Sequence, residues 1–204
     1  GFGSVLANRL CMNVMCAAYR LAPENPFPAA LEDALAAYTY LLEQGYAGGQ
    51  ISLVGESAGG GLIFCLAQGL RELGMPMPAR LIAISPWADL TLSGKSYSLR
   101  EKKDPTLSRA QLQFYAKAYG GTDLKNPLIS PIFGDFTGFP PALIFVGTDE
   151  MLLDDAICLK KKYREAGQSC CLVVQEGLWH VYVLYAVPEA KTALERIDRF
   201  INGD

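Results

Sequence analysis

Three residue types in this chain have the chemistry of a nucleophile, a base and an orienting acid. Ser57 stands in Gly55-Glu56-Ser57-Ala58-Gly59, behind the apolar run Ile51-Ser52-Leu53-Val54 and ahead of Gly60-Gly61-Leu62-Ile63-Phe64-Cys65-Leu66-Ala67. A serine between a buried strand and a buried helix sits on a sharp turn, and glycines two before and two after it remove side chains that would clash there. This is the G-x-S-x-G nucleophile elbow in its strand–turn–helix setting. A serine hydroxyl is a weak nucleophile until a base takes its proton, and the base needs an orienter. The chain has one histidine, His180, so there is no choice of base.

The orienter should be a carboxylate that leaves the end of a strand. Asp89 follows the run 81–85, and Asp149 follows 142–146 directly after Gly147-Thr148. Asp149 is the favoured acid. Glu150, Asp154 and Asp155 are expected in the first turn of the next helix, where acids complement the helix dipole. The Ala58 amide, one residue past the nucleophile, is the expected oxyanion donor.

The elements that must position these groups alternate. Strands are expected at 14–19, 51–54, 80–85, 142–146 and 170–174, and helices from Pro28 to about Gly45, from the elbow to about Arg71, at 154–166 and at 188–201. Near-continuous apolar strands separated by helices indicate an α/β fold with a mostly parallel sheet covered on both faces. Such sheets bind ligands at the carboxyl ends of their strands, where Ser57, Asp149 and His180 all fall. Residues 87–138 are polar and punctuated, with one helical stretch at 108–119. A connection of that length reads as a binding insert.

Composition bounds the rest. The 204 residues are half hydrophobic, which suits one domain with a sizeable core. Net charge is −3 with no basic stripe, so nucleic acid is a poor partner. No run is long enough to span a bilayer and none resembles a signal peptide, which favours a cytoplasmic location. The six cysteines form no C-x-x-C and are expected to be reduced core residues. One histidine and no ligand cluster argue against a metal. The chemistry calls for no cofactor, and a homodimer is among the open options.

Longer stretches resemble a known family. Tyr19-Arg20-Leu21-Ala22-Pro23-Glu24-Asn25-Pro26-Phe27-Pro28-Ala29-Ala30 is similar to the Y-R-L-A-P-E-x-P-F-P-A-A stretch of the hormone-sensitive-lipase-like carboxylesterases. Gly55–Gly60 resembles their G-D/E-S-A-G-G elbow, and Ser85-Pro86-Trp87-Ala88-Asp89-Leu90-Thr91 their S-P-W-x-D-L-T. Gly147-Thr148-Asp149 with Leu152 and Asp154 resembles the segment that carries their acid, and Glu176-Gly177 with His180 and Tyr182 the segment that carries their histidine.

The resemblance implies an α/β-hydrolase fold, a triad of Ser57, Asp149 and His180, a cap-like insert at 88–138 and hydrolysis of short-chain carboxylic esters. Trp87 is the expected substrate contact. The chain departs from the family at its start. It opens Gly1-Phe2-Gly3-Ser4 without the H-G-G-G whose amides complete the oxyanion hole, although Gly1 and Gly3 are candidates for a remnant of it. Ala18 stands where the family usually has Asp. These departures suggest a truncated or internally shortened member. The rival readings are a non-catalytic binding protein and a fragment of low activity.

Overall fold

The structure is a computed structural model and describes residues 1–203. Its centre is a sheet of four parallel strands in the order β1 (Ser52–Glu56), β2 (Arg80–Ile84), β3 (Ala142–Gly147), β4 (Cys170–Gln175). The order follows the sequence. Register runs Leu53 to Leu81, Ile82 to Leu143 and Ile144 to Leu172.

Helices cover both faces: α1 (Phe2–Leu10), α2 (Ala29–Glu43), α3 (Ala58–Glu72), α6 (Leu153–Glu165) and α7 (Pro188–Asn202). Side chains alternate across a strand, so each strand feeds two cores. Leu81, Ala83, Ile144 and Val146 pack with Phe64 of α3 and with Leu159 and Tyr163 of α6. Ile82, Ile84, Leu143 and Phe145 pack on the other face with Leu6 and Leu10 of α1 and with Ala193 and Ile197 of α7. All six residues of β3 are buried, as a central strand requires.

The insert lies between β2 and β3 and carries α4 (Ser96–Leu99) and α5 (Arg109–Gly120). The N-cap residue of α5 is Ser108, which accepts from the Gln111 N–H while Gln111 reaches back to the Ser108 backbone, a capping box. Trp87, Leu90, Tyr97 and Leu112 of this region pack with Met151 and Leu152, so the insert shares a core with the loop that leads into α6.

Two expectations are corrected, and one stretch that the sequence leaves unassigned is filled in. Residues 14–19 form no strand: they run as irregular chain, with Val14 and Met15 exposed. A strand exists only through a hydrogen-bonded neighbour, and a cavity of about 640 Å³, lined by Val14, Cys16 and the β1 residues Leu53 and Gly55, separates this segment from the sheet edge. Residues 2–10, which have no clear sequence pattern, are helix α1. Of the cysteines, Cys65 and Cys170 are buried, but Cys11, Cys16 and Cys171 are exposed and so are not core residues.

Candidate active site

The turn after β1 is as tight as its glycines suggest. Ser57 adopts φ 51°, ψ −119°, a conformation that costs a non-glycine residue energy and recurs at functional sites. Its N–H donates to Ile84 O (2.9 Å), and its carbonyl accepts from the N–H groups of Trp87 (2.9 Å) and Gly61 (3.1 Å). A Cβ on Gly55 would lie 2.2 Å from Gly59 O, and one on Gly61 would lie 2.0 Å from Trp87 O. The glycines are therefore required by backbone crowding. Ala58 opens α3, where the first-turn amides lack intrahelical partners and point toward the serine end of the helix.

His180 follows β4 on a loop. Its Nε2 lies 2.9 Å from Ser57 Oγ, and its ring is buried at 5% exposure. Behind it, Nδ1 faces Glu150 Oε1 at 3.5 Å. The Glu150 side chain is fully buried. Its Oε2 accepts from Ser85 Oγ (2.8 Å) and from the Gly147 N–H (2.9 Å).

The acid beside the histidine is thus Glu150 and not Asp149. Asp149 donates its N–H to Leu178 O (3.0 Å), and its side chain turns outward to meet Lys103 Nζ at 3.2 Å. Glu150 precedes α6, which starts at Leu153, so it is no first-turn acid; Asp154 and Asp155 do occupy that turn. The two loops are stitched together. The Thr148 N–H donates to Gln175 O (2.9 Å), and the Gly177 N–H donates to Thr148 Oγ1 (2.8 Å). A Cβ on Gly147 would fall 2.0 Å from Leu178 O, so glycine is what lets the histidine loop cross the end of β3.

Asp89 is buried but serves the turn that follows it, accepting from the N–H groups of Thr91 (2.8 Å) and Ser93 (3.0 Å). Asp155 accepts from the N–H groups of Ala88 and Asp89 and from Tyr97 Oη, each at 2.8 Å. Burial pushes its carboxyl well above the usual carboxylate range, against the pull of the Ala88 N–H.

Trp87 does not line the 640 Å³ cavity. Its indole is packed into the core shared with the insert, at 7% exposure, and its Nε1 has no partner among the described residues. Trp87 acts on the elbow through its backbone N–H.

Ser57, Ala58 and Gly59 close one end of the 640 Å³ cavity, with Tyr19 and Glu56 beside them. Burial raises the Glu56 carboxyl, opposed by the charge of His180. Burial, and then the Glu56 charge, raise the Tyr19 phenol. Gly1 and Gly3 make no oxyanion loop: Gly1 is the N-cap of α1 and Gly3 lies in its first turn, close against Cys16 Sγ. Among the described residues no cluster of His, Cys, Asp and Glu could hold a metal ion, and no helix is long and apolar enough to cross a membrane.

The family described as alpha/beta hydrolase fold matches residues 2–184. An acetyl-hydrolase of Streptomyces hygroscopicus is 43% identical over 201 residues, covering 97% of this chain and 67% of the relative. An esterase of Acinetobacter venetianus is 37% identical, covering 96% of this chain and 66% of the relative. Among solved structures, EstE5 soaked with p-nitrophenyl butyrate superposes with a TM-score of 0.93 at 40% identity, covering 98% of this chain and 68% of that one. An esterase from the bacterial hormone-sensitive lipase family gives the same TM-score and identity, over 96% and 67%. The chain spans about two thirds of the length of these relatives.

Proposed function

This chain belongs to the alpha/beta hydrolase fold family, among its carboxylesterase-type hydrolases of the hormone-sensitive-lipase kind, and from that premise we propose that Ser57, His180 and Glu150 cleave short-chain carboxylic esters through an acyl-enzyme. The observation that carries this reading is the 2.9 Å contact between His180 Nε2 and Ser57 Oγ, with the buried Glu150 carboxyl on the other ring nitrogen.

Ser57 Oγ attacks the acyl carbon as His180 Nε2 takes its proton. Glu150 holds the proton on Nδ1 and stabilises the imidazolium. The negative charge that develops on the carbonyl oxygen is met by the Ala58 N–H. Collapse of the tetrahedral intermediate breaks the ester C–O bond, and His180 returns the proton to the departing alcohol. Water then attacks the acyl carbon, giving a proton to His180; collapse breaks the bond to Ser57 Oγ, which takes that proton back from His180, and the carboxylic acid leaves. No step calls on a cofactor. The 3.5 Å span from Nδ1 to Glu150 is long for a hydrogen bond, and catalytic hydrogen bonds of free enzymes commonly tighten only when substrate is bound. Small acyl groups are supported by the likeness to the Streptomyces acetyl-hydrolase.

A fluorophosphonate tests the reading. The chain should gain one adduct, mapped by peptide mass to Ser57, and p-nitrophenyl acetate should be hydrolysed. Ser57→Ala should lose both while keeping its thermal midpoint. Labelling that survives in the Ala variant would move the nucleophile elsewhere.

A further inference from the structure

Ser85 directly follows β2 and is absent from the triad, yet its hydroxyl lies between the two loops that carry the acid and the base. Its backbone adopts φ 48°, in the left-handed region that residues other than glycine seldom enter, and its side chain is fully buried. Oγ donates to Glu150 Oε2 at 2.8 Å and accepts from the Val181 N–H at 2.9 Å. The roles are fixed by chemistry. A hydroxyl has one proton, and an amide N–H can only donate, so the Ser85 proton is committed to Glu150. With the Gly147 N–H also on Oε2 (2.9 Å), that oxygen is saturated and Oε1 is left for His180.

The backbone of the same residue anchors the site. The Ser85 N–H donates to Phe145 O of β3 (2.7 Å), and Ile84 O, one residue earlier, accepts the Ser57 N–H (2.9 Å). Val181, next to His180, itself sits at φ 52°. Two strained residues therefore meet through one hydroxyl, and strain of this kind persists only where surroundings over-determine it.

We propose that Ser85 is a positioning residue for ester hydrolysis, which locks the Glu150 carboxylate and the backbone after His180 into one arrangement through a single shared hydroxyl. The inference rests on the triad reading above. Removing the hydroxyl leaves a buried N–H and a buried carboxylate oxygen each short of a partner, and frees the acid to turn.

The test uses Ser85→Ala and Ser85→Gly, each made in the parent chain and in Glu150→Gln. Glycine removes the hydroxyl and relieves the φ 48° backbone together, which separates hydrogen bonding from fold strain. In the parent, both variants should lower kcat on p-nitrophenyl acetate, and the rate of fluorophosphonate labelling, by about 10- to 100-fold, with KM within about threefold. In Glu150→Gln the same changes should cost less than about threefold, because the acid they position is gone. The glycine variant should unfold cooperatively, with a thermal midpoint at or above that of Ser85→Ala, because it lacks the same hydroxyl but relieves the backbone. Equal losses in the two backgrounds, a loss confined to KM, or a glycine variant with parental kcat would overturn the proposal. A glycine variant that fails to fold would overturn it too, since Ser85 would then belong to the fold and not to the site. A parent chain that is unlabelled at Ser57 removes the triad reading itself and this inference with it, whereas labelling with additive losses removes the inference alone.

Discussion

The two sides of Ser57 are built differently. On one side, β2, β3 and β4 bring Ser85, Glu150 and His180 together through loops that are hydrogen-bonded to one another and buried. On the other side, β1 is the outermost strand, and the segment 12–17 faces it across the 640 Å³ cavity without pairing. The loops carrying Glu150 and His180 are joined by hydrogen bonds, whereas no backbone hydrogen bond ties the segment 12–17 to β1. In the proposed reaction, proton transfer draws on the first of these sides and the Ala58 N–H stands beside the second.

The largest effect should come from breaking the ordered side. Glu150→Gln should lower kcat by about 10⁴, the scale seen when the orienting acid of a serine protease is replaced by its amide. Asp149→Asn should stay within about threefold, because Asp149 faces Lys103 at the surface. Steady-state kinetics on p-nitrophenyl acetate check both. The opposite ranking would return the acid role to Asp149.

That choice between neighbours marks where the sequence stops being legible. Ser57 and His180 could be read because the elbow's glycines are a local steric requirement and the chain has one histidine. The strands at β1 to β4 could be read because strands covered on both faces are continuous apolar runs. Which of two adjacent carboxylates turns inward is not local. It depends on Leu178, which takes the Asp149 N–H, and on Ser85, which meets Glu150. A signal was available: Glu150 directly precedes Met151 and Leu152, both fully buried, whereas Asp149 follows the half-exposed Thr148. The expected strand at 14–19 misled because its apolar residues 14–18 are exposed and pair with no neighbouring strand, so the run marks neither burial nor a strand. Ser85 was missed as a site residue because its hydroxyl acts on two other loops, those of Glu150 and Val181, that are remote in sequence.

The same contrast should appear in stability. Ile144 is fully buried in β3 with partners on α3 and α6, so Ile144→Ala should cost about 2–5 kcal/mol. Val14→Ala, at 38% exposure on the open side, should stay within about 0.5 kcal/mol. Urea unfolding with a shared slope gives both values. Comparable losses would mean that the 12–17 segment is packed as tightly as the sheet.

Completing the open side should help catalysis. Fusing an H-G-G-G-bearing segment of the kind implied by the family resemblance ahead of Gly1 should raise kcat by at least about 10², the usual effect of one oxyanion donor. Both chains should be compared after active-site titration, so that only titrated sites count. Equal kcat values would mean that other groups already complete the hole around Ala58.

The smallest effect concerns the surface clamp on the open side. The Arg20 guanidinium contacts Asp33 at 2.9 Å and Glu32 at 3.0 Å, and the Arg20 N–H donates to Asp33 Oδ2 at 2.8 Å, tying the proline-rich loop to α2. The Arg20 side chain, and then its backbone N–H, hold the Asp33 carboxyl below the usual carboxylate range. A carboxyl lowered in the folded state contributes stability that is fully present above its unfolded value, near about 3.9, and is lost as pH falls through the lower folded value. The pair is solvent-exposed and screened by salt, so the contribution is small. Asp33→Asn should therefore lower the thermal midpoint slightly at pH 7, and the gap from the parent should close as pH falls below the unfolded value and through the lower folded one, or as salt is raised to about 1 M. Its kcat should match the parent's, because the clamp touches neither Glu150 nor His180. A midpoint gap that is independent of both pH and salt would show that Asp33 acts by packing on α2 and not by its charge, and a fall in kcat would show that the open side is mechanically coupled to Ser57.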